Sequence, residues 1–272
     1  MISDIATRPL GFNEILSISY NLFTKKFRDI MTIYGMLLLP VYVLTEIFSP
    51  FIEKYFKNFK DTPEISTFII IMVCAFCLFI LIASCVTAIA QNACVKLFDE
   101  SFFGREVDWK SSIKLSLVRF WPVALTSFIL LLLILPATCF LIIPGIILAT
   151  YTILSTICTV LKNVSGMSAI KESIKLVSGK AWLAFRLILI FFCMQLIISF
   201  TGKFIAELMP KQGLLADLPS IISLIFGIIS SFLSLYNATT FYIFYINREM
   251  LVNSNQYQFN DEPAVEVAAI AE

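Results

Sequence analysis

Histidine is missing from this 272-residue chain. Imidazole is the usual group for proton transfer near neutral pH and a common zinc ligand, so its absence excludes histidine-based proton relays, zinc centres and histidine-activated nucleophiles. The sequence also lacks a glycine-rich phosphate loop and the H-E-x-x-H and G-x-S-x-G motifs. ATP hydrolysis and the commoner membrane hydrolases therefore lack their working residues. We expect no enzyme, no cofactor and no metal site.

Charge is also scarce, because 14% of the residues are charged whereas 59% are apolar. Soluble domains contain roughly 45–50% apolar residues. The net charge of +1 gives no indication of a nucleic-acid partner. The composition predicts an all-α integral membrane protein.

The apolar residues form long runs. A helix needs about 20 apolar residues to cross roughly 30 Å of hydrocarbon at about 1.5 Å per residue. Six windows meet this requirement, and we predict six transmembrane helices in a single domain over residues 1–250. The windows are 30–49, 67–92, 121–137, 141–161, 181–201 and 220–246.

The longest run without a charged residue extends from Phe120 to Leu161. As one straight helix it would be about 63 Å long, twice the thickness of the hydrocarbon, so it must turn. We predict two crossings, with Pro136 ending the first helix and Pro144 in the opening turn of the second. A re-entrant loop is the alternative, but this stretch has few polar side chains to satisfy exposed backbone groups.

The lysines and arginines are unevenly distributed over the predicted connections. Fourteen lie on the side that contains both termini and five lie on the opposite side. Because basic residues are enriched in cytoplasmic loops, both termini are expected in the cytoplasm. Residues 251–272 are polar and acidic, and we predict a disordered tail.

Three segments on the basic side, 11–27, 107–120 and 166–179, place apolar residues three and four positions apart beside Ser, Lys or Glu. This pattern is typical of amphipathic interfacial helices. Aligning the three segments superposes one serine of each: Ser19, Ser116 and Ser173. Each segment precedes a pair of crossings, so the chain either contains three repeated helix-plus-hairpin units or matches by coincidence. Three parallel hairpins differ from the inverted halves of carriers.

Three motifs carry a family resemblance: IPGIILATY at residues 143–151, SGMSAIKESIKLVSGKAW at 165–182 and FYIFYINRE at 241–249. Together they resemble the membrane domain of glycerophosphoryl diester phosphodiesterases and related bacterial membrane proteins of unestablished activity. The resemblance implies six crossings and a bacterial inner (plasma) membrane. It implies no hydrolysis, which belongs to a separate soluble barrel in the fused enzymes. Related proteins often have an acid after the final tyrosine run, where this chain has Ile246-Asn247-Arg248.

Two sets of residues are candidate binding sites. Basic residues of the second and third interfacial segments are candidates for phospholipid headgroup contact: Lys110, Lys114, Arg119, Lys171 and Lys175. Polar residues of the second, fifth and sixth crossings either pack helices together or line an intramembrane groove: Gln91, Asn92, Gln195, Ser199, Ser230, Ser234 and Asn237. Glu46, near the far end of the first crossing, is expected to form a headgroup-level ion pair rather than to couple protons.

The first hypothesis is a non-enzymatic protein that binds membrane phospholipids and supports envelope maintenance or lipid handling. The second is a transporter or export component for a hydrophobic peptide or lipid, which requires a wet cavity beside Asn237, Gln195 or Gln91. An intramembrane enzyme is a weaker third idea, since histidine is absent and buried acids are few.

Overall fold

A computed structural model describes residues 8–58, 66–105, 108–208 and 218–261, and this part of the chain is helical without a strand. The first four helices are α1 (Phe12–Lys25), α2 (Phe27–Asn58), α3 (Ser66–Phe102) and α4 (Trp109–Val118). The next three are α5 (Phe120–Phe140), α6 (Ile142–Thr152) and α7 (Ser155–Lys162). The last three are α8 (Met167–Val177), α9 (Ala181–Leu208) and α10 (Leu218–Asp261). The prediction of an all-α chain is confirmed.

Four segments of the described residues are long and apolar enough to cross a membrane: Phe120–Thr138, Ile143–Lys162, Ala181–Leu208 and Ile221–Val252. They overlap the last four predicted windows, with ends that differ by up to seven residues. The first two windows lie inside α2 and α3, and their crossing remains a prediction. Glu46 lies on α2, but its side chain is outside the described part of the chain.

The uncharged run folds into a hairpin whose first arm is α5 and whose second arm is α6 followed by α7. The two arms are joined at a single extended residue, Leu141, with φ −152° and ψ 120°. The hydroxyls of Thr126 and Thr159 lie 3.1 Å apart, and Gly145 packs against Thr138. The residue nearer the turn on one arm contacts the residue nearer the turn on the other, and the two residues farther from the turn also contact each other. This order of contacts means that α5 runs antiparallel to α6 and α7. A Cβ on Gly145 would lie 2.9 Å from the Thr138 Cα, which explains the need for glycine at this contact.

Pro136 does not end the first helix, and that prediction is wrong. Helix α5 continues through Pro136 to Phe140. In hydrocarbon an interrupted helix leaves backbone groups without water, so a proline inside the helix costs less than a loop there. The Thr138 hydroxyl donates to backbone oxygens one turn back, Ile134 O at 3.0 Å and Leu135 O at 2.9 Å. Pro144 lies in the first turn of α6, as predicted.

The second arm of this hairpin is interrupted at Ile153 and Leu154, between α6 and α7. The last carbonyls of one helix and the first amides of the next have no partners within their own helix. Ser173 of α8 satisfies one group of each kind: its hydroxyl donates to Tyr151 O at 2.8 Å and accepts from Leu154 N at 3.1 Å. A buried serine thus holds the interruption.

The described helices divide into two compact units. The first contains the described parts of Met1–Asn21, Pro122–Leu187 and Thr240–Glu272, and in it α8 packs against α6 and α7. The second contains Leu22–Trp121 and Ile188–Thr239, and in it α2, α3 and α4 pack together. Within the second unit, Gly202 of α9 packs against Phe226 of α10, where a Cβ would meet the ring at 2.7 Å.

Helix α10 continues to Asp261, so the first eleven residues of the predicted disordered tail are helical in the structure. Residues 254–258 contain neither glycine nor proline, and a helix that leaves the bilayer has no local signal to stop there. The rest of the tail, 262–272, lies outside the described residues.

Candidate functional site

The three predicted interfacial segments are the helices α1, α4 and α8. The serines that the sequence alignment superposed are all buried: Ser19 is 0% exposed, Ser116 2% and Ser173 0%. Ser116 donates to Ile89 O of α3 at 2.7 Å, and Ser19 donates to Ile15 O of its own helix at 2.6 Å. The shared position therefore marks the inward face of each helix. Whether the three units are true repeats remains a prediction.

The outward faces of α4 and α8 carry the candidate headgroup residues. Lys110, Lys114, Lys171 and Lys175 are exposed, and Arg119 is half-buried at the end of α4. Each helix has its two lysines four residues apart, which places them on one face. These helices therefore present two neighbouring cations to their surroundings and a buried serine to the protein.

Large apolar side chains are exposed beside these lysines. On α8 they include Met167 (52% exposed) and Ile174 (39%), and an exposed tryptophan, Trp182 (68%), follows the helix. Helix α4 is likewise followed by an exposed tryptophan, Trp121 (78%). Tryptophan is enriched where headgroups meet hydrocarbon, because its ring is apolar and its N–H is polar. The surface chemistry of both helices suits a membrane interface.

A partly exposed junction in the first unit brings together two of the three motifs quoted above, 165–182 and 241–249. Arg248 of α10 donates from Nε to Leu176 O at 2.8 Å and from Nη2 to Ser178 O at 3.0 Å, at the end of α8. The last carbonyls of a helix lack partners within the helix and carry partial negative charge. The arginine therefore fixes α8 by its end.

Lys162 at the end of α7 joins the same junction. Its ammonium lies 3.1 Å from a carboxylate oxygen of Glu172 on α8 and 3.4 Å from one of Glu249 on α10. One cation thus links two carboxylates from different helices. No sequence pattern predicted this cluster, although Arg248 and Glu249 lie in one of the motifs quoted above.

Asn247 of α10 connects this helix to the segment before α1. Its Oδ1 accepts from Leu10 N at 3.2 Å, and its Nδ2 donates to Arg8 O at 3.0 Å. A carboxylate could accept from the amide but could not donate to the carbonyl. The contact therefore needs an amide, and the asparagine anchors the segment before α1.

Helix α1 begins with a cap in which the Glu14 carboxylate accepts two hydrogen bonds. Gly11 N donates to the Glu14 carboxylate at 2.8 Å, and Arg8 Nη2 donates to its other oxygen at 2.7 Å. The hydrogen bond from Gly11 and the charge of Arg8 together hold the pKa of the Glu14 carboxyl below its ordinary value of 4.5. Deprotonated Glu14 thus stabilises the start of this helix.

The polar residues predicted to line an intramembrane groove belong to the second unit. Gln91 Nε2 of α3 donates to Ser234 Oγ of α10 at 3.4 Å, and Gln195 Nε2 of α9 donates to Ser230 Oγ. Ser230 and Ser234 are one turn apart, so α10 is hydrogen-bonded to α3 and α9 at adjacent levels. Ser199 is exposed on α9. The glutamines and serines thus connect helices, as packing predicts.

Each of the two asparagines in this set has a buried side-chain atom that makes no such hydrogen bond. Asn92 is 2% exposed, and its Nδ2 has no hydrogen-bond partner among the described residues. The buried Oδ1 of Asn237 also has none there. A buried amide group without a partner costs about 1–3 kcal/mol, so these two atoms are available to a polar ligand or to water.

No protein-family model, curated protein or solved structure matches this chain. The resemblance to the phosphodiesterase membrane domain therefore remains a prediction from its three motifs.

Proposed function

We propose that this protein is a non-enzymatic membrane protein that binds anionic phospholipid through α4 and α8 and acts in lipid handling or envelope maintenance. The observation that supports the proposal is the outward face of each helix, where a pair of exposed lysines lies beside exposed apolar side chains. The Lys110–Lys114 and Lys171–Lys175 pairs, together with Arg119, form the headgroup contact. We place the chain in a bacterial inner membrane with both termini in the cytoplasm.

The two faces of these helices serve different roles in the proposal. The buried serines and the Arg248 contacts fix the helices to the protein, so the lysines are presented without further ordering of the backbone. Each cation near an anionic surface contributes about 1 kcal/mol, and salt screens this attraction over a Debye length of about 10 Å. Five such charges give a binding preference that weakens as the ionic strength rises.

The test replaces the five basic residues with glutamine in the full-length chain, purified in mild detergent. Binding of fluorescent phosphatidylglycerol and of phosphatidylcholine is then measured at low and high salt. We expect the variant to lose the preference for phosphatidylglycerol and its salt dependence.

The chain offers a matched control with the same change of net charge: Lys54, Lys57, Lys60, Lys203 and Lys211, the five lysines predicted on the opposite side. Their replacement by glutamine should leave the preference unchanged. Equal loss in both variants would show a non-specific charge effect, and no loss in either would refute the proposal.

A second function, transport or export of a hydrophobic peptide or lipid, is favoured by the unsatisfied amide atoms of Asn92 and Asn237. It predicts water beside these residues. In a variant without the seven native cysteines, a cysteine at position 237 should react with a water-soluble thiol reagent. A cysteine at the exposed, apolar position Leu132 of α5 serves as the control, and equally slow reaction at both positions would contradict transport through this region.

A further inference from the structure

An apolar groove of about 160 Å³ lies between α2 and α10 in the second unit. The α2 side is lined by Met31, Tyr34, Gly35, Leu38, Leu39 and Val43. The α10 side is lined by Leu224, Ile228, Ser231 and Phe232. The aromatic rings of Phe27 and Phe232, stacked with centroids 6.1 Å apart, lie at the end of the groove nearest the start of α2.

The groove is suited to hydrocarbon rather than to water. The Ser231 hydroxyl donates its hydrogen to Gly227 O of its own helix at 2.8 Å, so this hydrogen is not offered to a ligand in the groove. The rest of the lining is apolar, so the groove offers water few hydrogen-bonding partners. Met31 (37% exposed), Leu39 (53%) and Val43 (38%) leave the groove open to its surroundings. Acyl chains are therefore the apolar molecules that can enter it.

The length of the groove matches one leaflet. From Met31 to Val43 the α2 side extends over twelve residues, or about 18 Å. One leaflet contributes about half of the roughly 30 Å of hydrocarbon. A single acyl chain lying along α2 would thus be covered over most of its length.

Cations lie at the end where a phosphate would be. Arg28 is exposed one turn before Met31, and it is seven residues before Gly35, which places it on the same face of α2. Lys25 is exposed as well, whereas Lys26 forms an ion pair with Asp29 at 3.5 Å. Basic residues at one end of an apolar groove are complementary to a phospholipid and not to a neutral hydrocarbon.

Gly35 keeps the middle of the groove open. A Cβ placed there would meet no atom within 4 Å, so the space beside it is unfilled. A larger residue at this position can occupy the groove without clashing with the backbone. Gly35 is therefore the position from which the groove can be filled.

We propose that the groove between α2 and α10 binds one acyl chain of an anionic phospholipid whose phosphate contacts Arg28. The proposal deepens the proposed function, on which it rests, because lipid handling requires a place that holds a lipid molecule as well as a surface that attracts headgroups. Its residues do not overlap with the five basic residues of α4 and α8, so the two sites are tested separately.

The experiment uses the full chain in nanodiscs sized for one copy, containing phosphatidylglycerol with a photoreactive diazirine on its acyl chain, diluted in phosphatidylcholine. After illumination, labelled peptides are quantified by mass spectrometry. We expect labelling of residues 31–43 and 224–232 about tenfold above that of the exposed face of α5, which corresponds to about 1.4 kcal/mol of preference. Uniform labelling of all exposed apolar faces would overturn the proposal.

Two substitutions identify the site. Gly35→Phe should fill the groove and reduce its labelling to the level of α5, whereas Met36→Phe, on the exposed neighbouring position, should leave it unchanged. Arg28→Gln should reduce labelling by phosphatidylglycerol more than labelling by a phosphatidylcholine carrying the same diazirine, because both lipids have a phosphate but only the first has a net negative charge. Arg105→Gln, also an exposed arginine, should reduce neither. If Gly35→Phe does not fold to a monodisperse protein, Arg28→Gln still decides the result.

Other occupants give distinct outcomes. Labelling that disappears in nanodiscs containing two copies would assign the groove to a second copy of this chain and overturn the proposal. The five-glutamine variant of α4 and α8 should keep its groove labelling. If that variant retains its anionic preference while the groove labels as expected, the headgroup surface is refuted and the groove stands; the reverse result refutes the groove alone.

Discussion

Helices α4 and α8 have similar sequences but are held in different ways. Ser116 of α4 donates to Ile89 O inside the continuous helix α3, a carbonyl that also has the amide four residues on as a partner. Ser173 of α8 donates to Tyr151 O and accepts from Leu154 N at the interruption between α6 and α7. The first serine adds a bond to a complete helix, whereas the second supplies partners that the backbone lacks. Ser173 is therefore expected to contribute more to stability than Ser116, although the two serines are aligned in the sequence.

The largest difference is expected when each serine is removed. Ser173→Ala leaves a buried carbonyl and a buried amide without partners, which should lower stability by about 2–4 kcal/mol. Ser116→Ala removes one additional bond and should cost about 0.5–1.5 kcal/mol. Apparent melting temperatures in the same detergent measure both effects. Equal shifts would show that the interruption does not depend on Ser173.

The glycines that precede the two helices provide the next comparison. Gly166, directly before α8, has φ +60° and donates to Thr126 Oγ1 at 2.9 Å, and a Cβ there would lie 3.2 Å from Ile129 Cδ1. Gly104, before α4, has φ +72° but open space around it. Gly166→Ala should cost about 1–3 kcal/mol through strain and crowding, and Gly104→Ala about 1 kcal/mol through strain alone. Thermal unfolding of the two variants measures both losses of stability. A larger loss in Gly104→Ala than in Gly166→Ala would contradict the prediction.

Removal of Arg248 tests the contacts that fix the end of α8. Arg248→Ala removes two charged hydrogen bonds to Leu176 O and Ser178 O, and we expect a loss of about 1–2 kcal/mol because the side chain is partly exposed. Arg248→Lys should restore little, since an ammonium cannot reproduce the guanidinium fork. The exposed Arg186, which lies over the Phe12 ring, serves as the control. Proteolysis between α8 and α9 should increase in the Arg248 variants, and full rescue by lysine would contradict the geometry.

The smallest effect concerns α1, the third helix of this type, and depends on pH. The pKa of Glu14 is lowered in the folded chain, so its stabilising effect is complete above the ordinary carboxyl pKa of 4.5 and disappears as the pH falls through the lowered value. The Gly11 amide resonance should therefore titrate below pH 4.5 in the native chain and stay constant in Glu14→Gln. Titration of that amide in the glutamine variant would assign the change to another group.

The register of residues along one helix and the pairing of residues between helices differ in how far the sequence could predict them. The shared register of Ser19, Ser116 and Ser173 followed from spacing along the helices, because spacing fixes which residues share a helix face. Their burial is known only from the structure. The hydrogen-bond partners of residues far apart in the chain could not be predicted from the sequence either. Gln91 and Ser234 are separated by 143 residues, and Leu10 and Asn247 by 237. Such pairs depend on how each helix is rotated against its neighbours, which local spacing does not specify.

The hairpin of α5 with α6 and α7 shows the same limit at the level of the backbone. Its existence was predictable, since 42 uncharged residues are too long for one crossing. Its details were not: the helix continues through Pro136, and the interruption lies at residues 153 and 154. Both depend on what can satisfy freed backbone groups. Thr138 does so locally, and Ser173 does so from a different helix.

By itself the sequence determined the helical class and the positions of four segments able to cross a membrane. These properties depend on length and periodicity, because hydrocarbon thickness and helical rise are constants. Only the tertiary structure decided that Lys162 joins Glu172 to Glu249, that Arg248 fixes the end of α8, and that a groove opens beside Gly35. Those features are contacts between segments far apart in the chain, and no local sequence pattern specifies such contacts.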